Sequence, residues 1–309
     1  MKDRKMTPPQ SKNSKTQDAK PGKFSPKQRG SSAGSGSENA KPAARARPAA
    51  RYKSATSYTA TGTSGDGERI QKLLARAGLG SRREIERWIT EGRLTVNGQA
   101  ITLGYHLKPG DHLLINGRVV KWDKYAEQPT RVLVYHKPVG EVVTRRDPEG
   151  RPVIFTQLPR IPVGRWIAVG RLDINTSGLI LVTNNGELAN RLMHPSREVE
   201  REYAVRILGD VDESILQRLR TGVELEDGPA HFDELRFYAG EGANKWFYVT
   251  VKQGRNRLVR RLWESQGVKV SRLMRVRYGE VVLPERVRAH SFYELDAKEL
   301  QDLMAYVDL

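Results

Sequence analysis

The chain has 309 residues, with 53 Lys and Arg against 36 Asp and Glu, a net charge of +17 and 38% hydrophobic residues. It has no Cys, which excludes disulfides, thiolate metal sites and Cys nucleophiles and fits a reducing cytosol. No apolar run approaches the ~18 residues of a membrane helix, the basic N-terminus lacks the apolar stretch of a secretory signal, and the surplus charge points to a polyanion as partner.

Residues 1–67 contain no Ile, Leu or Val and carry 14 Lys and Arg against 4 Asp and Glu. Such a segment cannot bury enough apolar area to offset its chain entropy, so a disordered basic arm is expected. It is either a solvated tail or a loose, salt-sensitive contact to phosphates. The remaining 242 residues are only mildly basic, at +7. Any grip on nucleic acid there must come from charges gathered on one face.

From Glu68, the apolar residues Ile70, Leu73, Leu74 and Ala77 recur at helical spacing, while Arg69, Lys72 and Arg76 form another face. Gly78 and Gly80 end this helix. Ser81-Arg-Arg-Glu84 reads as a capping box opening a second helix, with Ile85, Trp88 and Ile89 inward and Arg82, Arg83 and Arg87 elsewhere. Short runs at 94–96 and 99–101 flank Asn97-Gly98, a hairpin signal, and a third strand is expected over 112–116. The module ends near Asp123. Two basic helices on a small sheet suit a phosphate backbone, although most charge runs are solvated faces. The order of residues in "LARAGLGSRREIERWITEGRLTVNG" resembles the S4 RNA-binding module over most of 68–116. That resemblance implies that Arg82 and Arg83 face RNA, with Arg69 and Lys72 on the neighbouring helix. The module is shared by unrelated RNA proteins, so it does not name an activity.

Gln128-Pro129 is the expected linker. A strand is predicted over 131–135, a turn over 137–140 and a Gly/Pro-rich loop over 147–164. Within Gly170-Arg-Leu-Asp-Ile-Asn-Thr-Ser-Gly-Leu-Ile-Leu-Val-Thr-Asn-Asn-Gly186, the run 179–183 is a buried strand, 184–186 a turn and 187–193 a short helix. Asp173 therefore sits at a loop-to-strand junction, where a carboxylate is rigid yet reachable. An Asx turn stabilising its own loop is the commoner fate of such an Asp.

"GRLDINTSGLILVTNNG" resembles the signature of pseudouridine synthases that contain an S4 module. "REYAV" at 201–205 and "GRNRLVRRL" at 254–262 resemble two further motifs of that family in the same order. The likeness spans about 68–295, and "DPEGRPVIFTQLP", "RWIAVGRLD" and "VELEDGPA" draw it toward members acting on large-subunit ribosomal RNA. Asn185 stands where the signature often has Asp.

The resemblance implies an α+β fold. A disordered tail over 1–67 and an S4 domain over 68–128 precede a catalytic domain over 129–309, built on a mixed, mainly antiparallel sheet. It implies isomerisation of uridine to pseudouridine, which needs no cofactor and no metal. The partner is ribosomal RNA of the large subunit or its precursor, and the enzyme is a cytoplasmic monomer with no membrane association. Asp173 becomes the carboxylate that attacks C1′, attacks C6 or removes a sugar proton. Tyr203 becomes the ring that stacks on the uracil, unless it is a core Tyr. Arg260 becomes the guanidinium that pairs with Asp173 and keeps it ionised. Arg171 is a wedge into the base stack or a phosphate contact. Leu273 packs beside the base or in the core. Arg255, Arg257, Arg261, Arg272, Arg275 and Arg277 are expected along the cleft, on phosphates. His136 and His194 are read as structural. Two readings remain beside this one: a synthase for small-subunit ribosomal RNA or another site, and a non-enzymatic RNA-binding assembly factor.

Overall fold

The structure, a computed structural model, describes residues 67–122, 128–242 and 244–309. The basic arm expected over 1–67 lies outside these residues apart from Gly67, as does the module's end at Asp123.

The small module forms as its sequence dictates. Helix α1 (Ile70–Arg76) buries Ile70, Leu73 and Leu74, and α2 (Arg82–Thr90) buries Ile85 and Ile89. The Ser81 hydroxyl accepts the Glu84 N–H while the Glu84 carboxylate accepts the Ser81 N–H, so the capping box closes in both directions. Asn97 and Gly98 both take positive φ, the turn that lets Leu94–Val96 and Gln99–Ala100 pair without splaying. Asn116-Gly117 repeats the device and adds a strand, Arg118–Val120, which the sequence reading did not foresee.

The larger part is a nine-stranded sheet. Its main strands are β1 (Val132–Lys137), β2 (Ser177–Thr183), β3 (Arg201–Leu208), β4 (Glu234–Glu241), β5 (Asn244–Val251), β6 (Lys269–Tyr278) and β7 (Phe292–Glu294). They run in the order β4-β5-β3-β6-β2-β1-β7. Only β6 against β2 is parallel on this path, so the sheet is mixed and mainly antiparallel. At that junction Arg275 lies opposite Gly178. Gly178 has φ +104°, and a Cβ there would stand 2.2 Å from the Arg275 carbonyl oxygen. Only glycine meets both demands.

β1 and β2 are covered on both faces. Val132, Val134, Leu179 and Leu181 pack with α3 (Gly186–Met193) and α6 (Ala297–Ala305). Leu133, Tyr135, Ile180 and Val182 pack with Ile154, Leu158, Trp166 and Leu172 on the other face. Double coverage explains why these strands read as unbroken apolar runs. A third core joins Val205, Ile207, Phe247 and Val249 to α4 (Glu213–Thr221) and α5 (Leu258–Glu264) through Leu219, Leu262 and Trp263. Tyr203 packs against this core and against the Leu133 core alike. The sequence reading did not anticipate α6, although Asp296 and Glu299 form a capping box at its start.

Candidate active site

A cavity of about 880 Å³ opens where these two cores part. Asp173, Tyr203, Arg171, Leu273, Arg255 and Arg257 all line it. With Arg275, four chain segments thus bring together seven of the expected residues. Arg260 is absent from the lining.

Asp173 projects from the loop that feeds β2. The backbone carbonyls of that loop are taken one after another. Lys137 Nζ donates to Asp173 O at 3.1 Å and to Thr176 O at 2.8 Å. The Gly140 N–H donates to Ile174 O at 2.8 Å. Arg260 Nη2 donates to Asn175 O at 2.8 Å. Carbonyls 173 to 176 are therefore all satisfied from outside the loop, which fixes its backbone. The Asp173 side chain is only half-buried. Among the described residues no hydrogen bond or ion pair engages its carboxylate, so the Asx turn is not formed and the group is available.

The ion pair expected between Arg260 and Asp173 is not formed. Arg260 is buried behind the wall, and its fork reaches the carbonyls of Asn175 and, at 3.2 Å, Val270. Its Nε is buried without a partner. Burial, then Arg257, hold its pKa below the usual arginine value, with Asp173 and Glu264 opposing them. Arg260 thus holds Asp173 through the main chain. Lys137, read as part of a turn, is the last residue of β1 and fully buried. Its third donor goes to Pro138 O at 2.9 Å. Burial lowers its pKa to about 8, with Glu141 and Asp173 pulling the other way. The signal for it was present. A lysine closing a strand buried on both faces needs dedicated acceptors.

Tyr203 is half-buried, and among the described residues its hydroxyl has no partner. The β3–β6 register shifts between Glu202 and Tyr203, a bulge of the kind that re-aims a side chain. Tyr203 faces Arg275 across the sheet. Arg275 and Arg201 are both buried, lie 5.0 and 5.1 Å from the Tyr278 ring and line the cavity with it. Sequence reading placed Arg275 in the cleft but did not single out Arg201 or Tyr278. Leu273 is a core residue, 6% exposed, and is also part of the cavity lining.

The other arginines divide. Arg171 is exposed at the cavity. Arg255 and Arg261 both grip Asp227, which holds that carboxyl far below its usual range. Arg255 is thereby tied to the 223–230 hairpin, and Arg261, Arg272 and Arg277 do not line the cavity. Arg277 pairs with Glu200 and Glu202. Arg257 caps α5 in a left-handed conformation at φ 47°. In the small module Arg69, Arg82 and Arg83 are exposed, but Lys72 bridges to Glu187 of the larger domain at 3.0 Å. His136 meets Val287 O and His194 meets Ser196, in keeping with structural roles. Among the described residues no cluster of His, Asp and Glu could hold a metal ion, and no helix is long and apolar enough to cross a membrane.

Known families match both parts of the chain. The family described as RNA pseudouridylate synthase matches residues 131–265, and the S4 domain matches 68–113. The chain is 57% identical over 244 residues to a Salmonella typhimurium protein named ribosomal large subunit pseudouridine synthase B, covering 78% of this chain and 84% of the relative. The Pasteurella multocida protein of that name is 56% identical over 246 residues, covering 79% and 71%. The Escherichia coli K12 protein is 55% identical over 244 residues, covering 78% and 84%. A crystal structure of a pseudouridylate synthase shares the fold, with a TM-score of 0.53 and 24% identity over 76% of this chain and 99% of that one.

Proposed function

The chain belongs to the RNA pseudouridylate synthase family, and on that footing we propose that it isomerises a uridine of large-subunit ribosomal RNA to pseudouridine, with Asp173 and Tyr203 at the reacting base. The observation that carries this is the free Asp173 carboxylate on a loop whose four successive carbonyls are held, facing the same cavity as Tyr203.

The reaction breaks the N1–C1′ bond, turns the uracil and joins C5 to C1′. C5 gives up its proton and N1 gains one, so composition is unchanged. Asp173 acts at the sugar or the base as nucleophile or proton acceptor. Tyr203 keeps the loosened uracil flat while it turns, and Leu273 packs beside it. Arg171 enters the stack as the uridine leaves, at a cost of a few kcal/mol. Lys137 and Arg260 are positioning residues that also place positive charge beside the carboxylate. Arg257 faces phosphates from the cavity wall, and Arg82 and Arg83 do so from the small module. The proposal takes the protein to work on RNA as a monomer in the cytoplasm, away from any membrane.

A binding factor has no use for a free carboxylate held this rigidly. The test is reverse-transcription mapping of carbodiimide-modified pseudouridine in ribosomal RNA with and without the gene. Loss of one large-subunit position is expected. Loss of a small-subunit position would move the substrate, and no loss would leave a binding factor.

A further inference from the structure

Between the small module and the sheet domain the two backbones come unusually close. A Cβ on Gly78 would stand 2.7 Å from Gly164 O, and one on Gly164 would stand 2.8 Å from Arg76 O. Both glycines have positive φ, at +80° and +88°. Beside this contact lies a cleft of about 170 Å³, whose charged lining is Glu68, Lys72, Arg76, Arg82, Arg165 and Glu187.

Its carboxylates are engaged. Glu68 accepts both nitrogens of the Arg76 fork, at 3.2 and 2.7 Å, and Glu187 accepts Lys72 and Arg191. Nearby Glu84 is held in the capping box of α2. Among the described residues neither Arg82 nor Arg165 forms an ion pair. Arg165 is half-buried, and its Nε is enclosed without an acceptor. Burial, then Arg82, depress its pKa, with Glu84 opposing. Arg145 comes next. It stacks 4.7 Å over Phe155, donates to Trp166 O beside Arg165 and lines the catalytic cavity with Arg171.

Guanidiniums facing one another with an unmet buried donor cost free energy. An anion inserted among them repays that cost, and a planar fork suits a phosphate. We propose that Arg82, Arg165 and Arg145 form a phosphate track that carries one RNA strand from the small module into the cavity, with a phosphodiester shared by Arg82 and Arg165. Because Arg82 belongs to one module and Arg165 to the other, the shared phosphate also pins the modules together. This rests on the RNA reading above and adds Arg165 and Arg145 to it.

The test uses the full chain and a ribosomal RNA fragment that it modifies. Kd is measured for Arg165→Gln, Arg82→Gln, the double variant and Arg165→Lys at several salt concentrations, with single-turnover rates. Arg165→Gln is expected to weaken binding about tenfold and lower the salt slope by about one. The double variant should lose less than the product of the two singles, since one phosphate serves both. Arg165→Lys should recover most of the affinity, because a point charge still attracts phosphate. The loss should fall on KM, with the single-turnover plateau regained at saturating RNA. An unchanged Kd and salt slope for Arg165→Gln, strictly multiplicative losses, or a lowered plateau at wild-type Kd would each overturn the track. If Arg165→Gln melts early, Arg145→Gln on the exposed rim carries the same expectation for affinity and slope, and failure there overturns it equally. Wild-type pseudouridine formation is scored separately, so a failed activity and a failed track are told apart.

Discussion

Lys137 Nζ donates to the backbone carbonyl of Asp173 at 3.1 Å, so the residue whose carboxylate is proposed to react is held through its main chain by a fully buried ammonium. The same nitrogen takes Thr176 O and Pro138 O. Placement of the carboxylate therefore depends on a group that does not line the cavity.

Asp173→Asn keeps the size of the side chain and removes its charge. Since the carboxylate supports no neighbour, the variant should fold and bind RNA with near-normal affinity. It should make no detectable pseudouridine. Turnover above about 1% of wild type, a loss of under about 3 kcal/mol in the barrier, would remove Asp173 from its role.

Arg260→Lys removes the fork that spans Asn175 O and Val270 O. A hydrogen bond from a charged donor contributes about 1.5–3 kcal/mol, so kcat should fall roughly 10- to 100-fold. RNA affinity should barely change, because Arg260 does not line the cavity. A defect confined to RNA binding would make it a phosphate contact after all.

Lys137 predicts opposite trends for activity and stability. A neutral amine has two N–H donors for three carbonyls, so kcat should fall through a basic limb near pH 8, the value to which burial lowers it. Between about 8 and the usual 10.5 the unfolded chain binds a proton that the folded chain has lost. This group therefore makes unfolding free energy rise with pH in that window. Lys137→Met should lose the limb, along with much of kcat. A wild-type limb that survives in Lys137→Met belongs to another group.

Gly178→Ala should destabilise the fold by roughly 2–4 kcal/mol. The new methyl meets the Arg275 carbonyl at the one parallel junction of the main path, and φ +104° is strained for alanine. Chemical denaturation gives the number. A change below about 1 kcal/mol would mean that β2 and β6 can part without cost.

Much of this was legible in the chain. The Ser81 capping box, the Asn97-Gly98 turn and the stripe Ile70, Leu73, Leu74 are short-range patterns whose physics is complete within a few residues. The motif around Asp173, with "REYAV" and "GRNRLVRRL", pointed to residues that line one cavity. Only the tertiary structure decided what each cation does. Lys137 and Thr176 are 39 positions apart, and Arg260 and Asn175 are 85 apart. Their acceptors are main-chain carbonyls, which every residue has and no sequence pattern marks. Arg255 and Arg261, expected on phosphates, meet Asp227 instead because the 223–230 hairpin folds back beside α5. Side-chain chemistry is written in the sequence, but whether a guanidinium meets a carboxylate, a carbonyl or another guanidinium depends on which distant segment packs against it.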